Sequence, residues 1–226
     1  LGSGTQLALA VARALAELHG LSSDVVALAM ATRRARRSAI GTWAFAFGGF
    51  ILEGGRRDDF PAPAPLLSRL PMPSGWRCVI AVPEAASGVS GAAEAAAFAQ
   101  LPSPSQAEVE RVAHLVLMGI LPSVAEGDLT TFGEALSEVQ LVTGRWFAPV
   151  QGGPFARGPT GSIVRRMRDW GAAGAGQSSW GPTAYGIVGD EDASAALAAR
   201  MRELLGEKGS VYESAFATTG ATVRGH

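Results

Sequence analysis

Apolar positions recur along this chain with two different periods. From Thr5 to Leu18 the residues Leu7, Val11, Ala14, Leu15 and Leu18 return every three or four positions, which predicts a helix stopped by Gly20. A second helix is predicted through Val25, Val26 and Met30, capped by Ser22 or Ser23. "TWAFAFGGFILEGG" divides at its glycine pair into a short helix and the strand "FILE". "GGRRDDFPAPAPLLSRLPMPSG" is rich in proline and charge and reads as a surface loop or hinge. "WRCVIAVP" then predicts a buried strand and "AAEAAAFAQ" a helix. "SPSQAEVERVAHLVLMGILPSVAEGD" predicts one long helix, capped by Ser105 and kinked or ended at Pro122. "TTFGEALSEVQLVTGRWF", "GSIVRRMRDWG" and "EDASAALAARMRELLG" predict three more. "GAGQSSWGPTAYGIVG" reads as a glycine-rich loop leading into the strand "TAYGIV", and "SVYESAFATTGATV" closes the chain as strand. Helices and strands are mixed without strict alternation, so an α+β sandwich is expected rather than a doubly wound parallel sheet.

Composition narrows the class. The 226 residues suit one large domain or two small ones, and 47% hydrophobic against 17% charged residues allows a real core. No apolar run reaches the roughly 20 residues of a membrane helix. A net charge of -1 and a pI near 6.4 argue against nucleic acid or an acidic membrane as partner. Cys78 is the one cysteine, so an internal disulfide and a thiolate metal cluster are excluded, and a cytoplasmic setting is expected. Among 19 Lys and Arg residues only Lys208 is a lysine, in a stretch that reads as a turn. A Schiff-base lysine for pyridoxal phosphate has almost nowhere to sit, and no GxxxxGK[ST] loop occurs.

Three segments carry candidate chemistry. Gly2-Ser3-Gly4-Thr5-Gln6 opens the first helix, where glycines admit a ligand and free N–H groups favour an anion; a plain helix cap is the simpler reading. Gly174, Gly176, Ser178, Ser179, Gly181 and Thr183 crowd the second loop, with Trp180 inside it as an aromatic platform or a hydrophobic plug. Arg33, Arg34, Arg36 and Arg37 precede Ser38; such a run clamps phosphate or carboxylate, or is simply solvated.

These loops, in this order, resemble the GHMP superfamily of small-molecule kinases. "LGSGTQ" matches its phosphate loop, "RSAIGTWAFAFGG" the segment that supplies a catalytic aspartate, and "AGQSSWGPT" the glycine-rich loop near the C-terminus. Ser38-Ala39-Ile40 stands where the kinases have Ser-Gly-x, and their aspartate position is Gly41, which cannot act as a base. The longer strings "LGSGTQLALAVA", "SAIGTWAFAFGGFILEGG", "HLVLMGILPSVAEGD" and "GQSSWGPTAYG" look like the β-ribofuranosylaminobenzene 5'-phosphate synthases, GHMP relatives of methanopterin biosynthesis.

That resemblance implies a GHMP-kinase-like two-part α/β sandwich whose first strands precede Leu1, so that this chain is a fragment of a longer one. Residues 1–60 would be the remainder of the N-terminal domain, 61–74 a Pro-rich linker and 75–226 the C-terminal α+β domain. It implies a homodimer that joins 4-aminobenzoate to phosphoribosyl pyrophosphate, with Mg2+ accompanying the diphosphate and without pyridoxal phosphate. Gly2, Ser3, Gly4, Thr5 and Gln6 would hold donor phosphate, and Ser178, Ser179, Gly181 and Thr183 would close over it. Arg34 and Glu126 are the catalytic candidates, Glu53 the metal candidate, and Trp43 and Trp180 the acceptor-binding candidates; Arg33, Arg36 and Arg37 are expected as bystanders. His114, Met118 and Glu126 would share one face of the long helix, with His114 buried. An ATP-dependent kinase with its base elsewhere, and an incomplete fragment that binds phosphate without turnover, are the alternatives.

Overall fold

The stretch of helical period at the start of the chain folds as α1 (Ser3–Leu18), in a computed structural model that describes residues 2–57, 62–84 and 91–224. The chain divides into two compact units, Leu1–Met72 with Phe216–His226, and Pro73–Ala215. The expected boundary between residues 60 and 61 lies outside the described residues.

In the first unit α1 packs with α2 (Val25–Ala31) and α3 (Ile40–Phe47). Leu9, Ala16, Leu28, Ala29 and Phe45 form the shared core. Each large apolar side chain in it contributes about 1.5–3 kcal/mol. The α2 cap is Asp24, not Ser22 or Ser23. Its carboxylate accepts the Ala27 N–H at 2.9 Å, whereas the serines sit too far upstream to reach that group. β1 (Phe50–Glu53) pairs antiparallel with β2 (Leu66–Leu70), Phe50 opposite Leu70 and Ile51 opposite Arg69. β2 corrects the expectation of an unbroken loop. Pro65 and Pro71 flank the strand without entering it, so they bound it rather than break it.

The last residues of the chain group with this unit, so "SVYESAFATTGATV" is strand only in its first half. Gly49 donates to Ala217 O at 2.7 Å and Ala221 to Phe45 O at 2.7 Å. A Cβ on Gly48, whose φ is +60°, would stand 2.5 Å from Thr219 O. Only glycine lets the two backbones cross there. The Arg69 guanidinium ties the crossing together by donating to Phe47 O at 3.1 Å and Thr218 O at 2.5 Å.

The second unit is built on an antiparallel sheet of β3 (Arg77–Pro83), β4 (Gly174–Gln177), β5 (Ala184–Val188) and β6 (Gly209–Ala215), in the order β4-β5-β3-β6. Val79 and Ala81 alternate inward along β3 and meet α8 (Thr160–Asp169) and α9 (Glu191–Leu205) through Ile163, Met167, Leu197 and Met201. Ala175 of β4 joins that core, while a Cβ on Gly176 would strike Gln140 of α7 (Leu129–Gln151) at 2.4 Å. Helices therefore cover both faces of the sheet at β4. Helices and strands are mixed as the pattern predicts, and the sheets are antiparallel. β4 itself was expected as loop; its four residues are all buried, and their small size serves close packing rather than a turn. Lys208 lies exposed in the turn between α9 and β6, as expected. Burial pushes the Cys78 thiol up to about 12, which keeps it inert. No helix among the described residues is long and apolar enough to cross a membrane.

α4 (Gly91–Gln100) precedes the expected long helical segment, which is unbroken from Gln106 to Glu126. α5 (Gln106–His114) starts on a reciprocal Ser105–Glu108 capping box and continues through a π-helical turn, Leu115–Ile120, into α6 (Leu121–Glu126). Pro122 has no N–H for the preceding turn, and the ladder loosens just ahead of it without ending the helix. His114, Met118 and Glu126 are all exposed, including His114, which was expected to be buried.

Candidate functional site

The N-terminus of α1 is the part of the first unit best suited to an anion. Gly2 takes a left-handed conformation at the N-cap, with φ 69°, and no side chain caps the helix. Gly2 O accepts the N–H groups of Thr5 at 3.0 Å and Gln6 at 3.2 Å, which leaves those of Ser3 and Gly4 without an acceptor among the described residues. The first turn carries no acidic residue. Sixteen aligned peptide dipoles place partial positive charge at those two free groups.

Arg34 adds a full charge. A Cβ built on Gly4 would lie 3.8 Å from both Nη1 and Nη2 of Arg34, so the guanidinium sits beside the bare backbone of the loop. The arginine reaches this place because α2 ends in a Schellman motif: Arg34 N–H bonds Ala29 O at 2.7 Å and Arg33 N–H bonds Met30 O at 3.0 Å. Arg33 occupies the left-handed position, φ 55°, where glycine is usual, and Ala35 follows at φ 56°. Together these turn the run of arginines around a cavity of about 410 Å³ lined by Arg33, Arg34, Arg36 and Arg56. Arg56 carried no signal in the sequence, being 20 residues from Arg36, but its Nη1 donates to Arg36 O at 2.6 Å.

Gly41 sits against the same loop. A Cβ there would meet Thr5 Cγ2 at 3.1 Å, so the Thr5 methyl occupies the space of a side chain at 41. Gln6 Nε2 donates to Gly41 O at 2.8 Å and tethers the start of α1 to the start of α3. Thr42 Oγ1, next along, is buried with no hydrogen-bond partner among the described residues. Glu53 does not face open solvent: its Oε2 accepts the Ala39 N–H at 2.5 Å and holds the turn before α3. No group of three or more His, Cys, Asp or Glu side chains among the described residues is placed to hold a metal ion. One carboxylate already bonded to the backbone does not make an Mg2+ site, so the protein groups in view do not fit a resident metal. Trp43 is half-buried, donates to Ala64 O at 2.9 Å and stacks on Phe47 at 6.2 Å between ring centroids.

In the second unit the glycine-rich segment is a hairpin. Ser178 N–H bonds Thr183 O and Gly181 N–H bonds Ser178 O, each at 2.9 Å. A glutamine network fixes the turn. Gln177 accepts from Ala156 N at 2.6 Å and donates to Ser179 O at 2.8 Å and Gln151 Oε1 at 3.2 Å; its own N–H bonds Gln140 Oε1 at 2.8 Å. Thr183 is buried. The Ser178 and Ser179 hydroxyls make no hydrogen bond among the described residues. Trp180 is 5% exposed and packs edge-on to Phe98 and Phe147, with Nε1 donating to Glu94 Oε1 at 3.2 Å. It also lines a cavity of about 180 Å³ together with Gln177 and Ser179. Glu126 ends α6, exposed and without a hydrogen bond or ion pair among the described residues.

Comparison with known proteins places this geometry. Residues 120–207 match the family described as GHMP kinases C terminal. The chain is 35% identical over 218 residues to a beta-ribofuranosylphenol 5'-phosphate synthase of Methanothermobacter thermautotrophicus, spanning 91% of this chain and 64% of that protein. It is 35% identical over 237 residues to the protein of that name in Archaeoglobus fulgidus, spanning 100% of this chain and 71% of the relative. The chain belongs to the beta-ribofuranosylphenol 5'-phosphate synthase family. Within that family it spans about two thirds of the length of the curated relatives it matches. Among solved structures it is similar to a homoserine kinase from Cytophaga hutchinsonii, with a TM-score of 0.67 and 18% identity over 91% of this chain and 62% of that one. It is similar also to L. major mevalonate kinase, with a TM-score of 0.66 and 19% identity over 97% and 67%. At that identity the kinases share the fold alone.

Proposed function

We propose that this member of the synthase family works in decarboxylating phosphoribosyl transfer. 4-Aminobenzoate is joined to phosphoribosyl pyrophosphate, giving β-ribofuranosylaminobenzene 5'-phosphate, CO2 and pyrophosphate in tetrahydromethanopterin biosynthesis. The observation that carries the reading is the open anion site, the free N–H groups of Ser3 and Gly4 beside Arg34, with Gly41, where the sequence resemblance would put the kinase base, packed against Thr5 of the same loop.

The chemistry explains why both features belong together. The bond from the anomeric carbon to the diphosphate oxygen breaks, and its electron pair leaves with the diphosphate. The growing negative charge needs oriented N–H donors and a guanidinium, which Ser3, Gly4 and Arg34 supply. The ring carbon bearing the carboxylate attacks the anomeric carbon. The bond to the carboxylate then breaks, CO2 leaves, and the pair restores the aromatic ring. No proton moves at the acceptor carbon. A kinase must deprotonate a hydroxyl and needs a base; this reaction does not, so Gly41 is no deficit. Any Mg2+ is carried by the donor's diphosphate. Gln6 and Glu53 position the turn at residues 38–41.

A second acceptor is favoured by the name of the relatives, since a ribofuranosylphenol carries a hydroxyl where the aminobenzene carries an amine. The test is release of 14CO2 from carboxyl-labelled 4-aminobenzoate and, separately, 4-hydroxybenzoate, with phosphoribosyl pyrophosphate. Release from the amine that depends on the donor supports the reading, and release only from the phenol transfers it to the second acceptor. ATP consumption with a small alcohol and no CO2 from either acid would return the kinase.

A further inference from the structure

We infer that Arg33, Arg36 and Arg56, together with Arg34, form a subsite for a phosphate monoester. On the reading above, which this inference rests on, that group is the 5'-phosphate of the ribosyl donor and of the product.

Four arginines line one cavity of about 410 Å³, with Met30 and Pro63 as its apolar wall and no acidic side chain among its described lining residues. None of the four makes an ion pair among the described residues; Asp58 and Asp59 lie outside those residues. Clustered like charges repel, so an arrangement of this kind is completed by an anion. The cavity has the capacity for a group with two negative charges and three acceptor oxygens, the chemistry that arginine forks hold best.

The backbone supports the same conclusion. Arg33 and Ala35 both have positive φ, at 55° and 56°, in the left-handed region where side chains are strained. Arg33 stands at a Schellman position that glycine fills without strain. A strained arginine in place of glycine is explained if its side chain works there, and a solvated run of charge would not require it.

Arg34 links this cavity to the α1 loop, because it both lines the one and lies beside Gly4 of the other. Two anion sites joined by one shared arginine fit a ligand with two separate phosphate groups. A diphosphate belongs at the free helix N–H groups, and the remaining monoester belongs among Arg33, Arg36 and Arg56. Arg33 and Arg36, expected from the sequence as bystanders, therefore recognise the donor, and Arg37 is not part of the lining.

The test is calorimetric titration of the chain with ribose 5-phosphate and, separately, inorganic pyrophosphate, for the wild type, Arg33→Gly and Arg56→Ala. Each variant is expected to weaken ribose 5-phosphate binding about tenfold or more and pyrophosphate binding less than about threefold. Arg33→Gly should also raise the melting temperature, because it relieves the left-handed residue; a structural role alone would not join higher stability to weaker binding. Unchanged ribose 5-phosphate affinity in both variants, equal losses for both probes, or no ribose 5-phosphate binding by the wild type would each overturn the subsite. Arginine-dependent ribose 5-phosphate binding without pyrophosphate binding would uphold the subsite and reject the α1 loop as the diphosphate site.

Discussion

The two glycine- and serine-rich segments of this chain have similar compositions and different surroundings. At the start of α1 the Ser3 and Gly4 N–H groups have no acceptor among the described residues, no side chain caps the helix, and a guanidinium lies beside the backbone. In the hairpin at residues 177–183 the Ser178 and Gly181 N–H groups are bonded within the turn, the Gln177 side chain bonds Ala156, Ser179 and Gln151, and Trp180 packs edge-on to Phe98 and Phe147. Glycine and serine allow either outcome. What separates a ligand site from a packed turn is whether the backbone donors are already satisfied.

The largest effect should come from the closed region. Trp180→Ala removes a buried indole and its contacts with two phenylalanines, and should cost about 3–5 kcal/mol of stability in urea unfolding. A loss of phosphate binding at unchanged stability would make Trp180 a ligand contact after all. At the open region, Arg34→Ala should lower CO2 release about 10²–10³-fold at saturating acceptor with little change in melting temperature. Gly41→Asp probes the boundary between synthase and kinase. The new side chain displaces the Thr5 methyl, at a cost of about 1–3 kcal/mol, and should confer no ATP-dependent phosphorylation.

Ser178→Ala with Ser179→Ala should reduce turnover about tenfold or less, because only hydroxyls are available there. The smallest effect is acid sensitivity of the second unit. The Arg111 fork holds the Glu138 carboxyl below its ordinary range, as the Ser105 hydroxyl does for Glu108 and the Thr131 hydroxyl for Asp128. A carboxylate with a lowered folded value contributes stability above its unfolded value, near 4, and loses it as pH falls through the folded one. The melting temperature should therefore decline gently below about pH 5, and Glu138→Gln should flatten part of that decline.

Much of the fold was legible because periodicity reports element type. The α1 helix, the helix and strand on either side of Gly48 and Gly49, and the Ser105 cap all follow from local pattern. The face that α1 buries did not: Leu7, Val11, Leu15 and Leu18 of the expected stripe are exposed, and Leu9 and Ala16 fill the core instead. The failures share a cause: tertiary packing gave ambiguous residues their meaning. Gly174–Gln177 is strand because α7 presses on it, and β2 is strand because β1 pairs with it. The site was half legible. The α1 loop, Arg34 and Gly41 are marked by residue type and order, whereas Arg56 joins the arginine cavity only through the folded chain, and the capping role of Glu53 depends on where β1 meets the turn before α3.

The most direct test of the open α1 loop as a ribosyl-donor site is titration of the wild-type chain with phosphoribosyl pyrophosphate and with ATP under the same conditions, repeated with Arg34→Ala. Phosphoribosyl pyrophosphate should bind more tightly than ATP, and Arg34→Ala should weaken its binding about tenfold or more. Tighter ATP binding, or donor affinity indifferent to Arg34, would contradict that assignment.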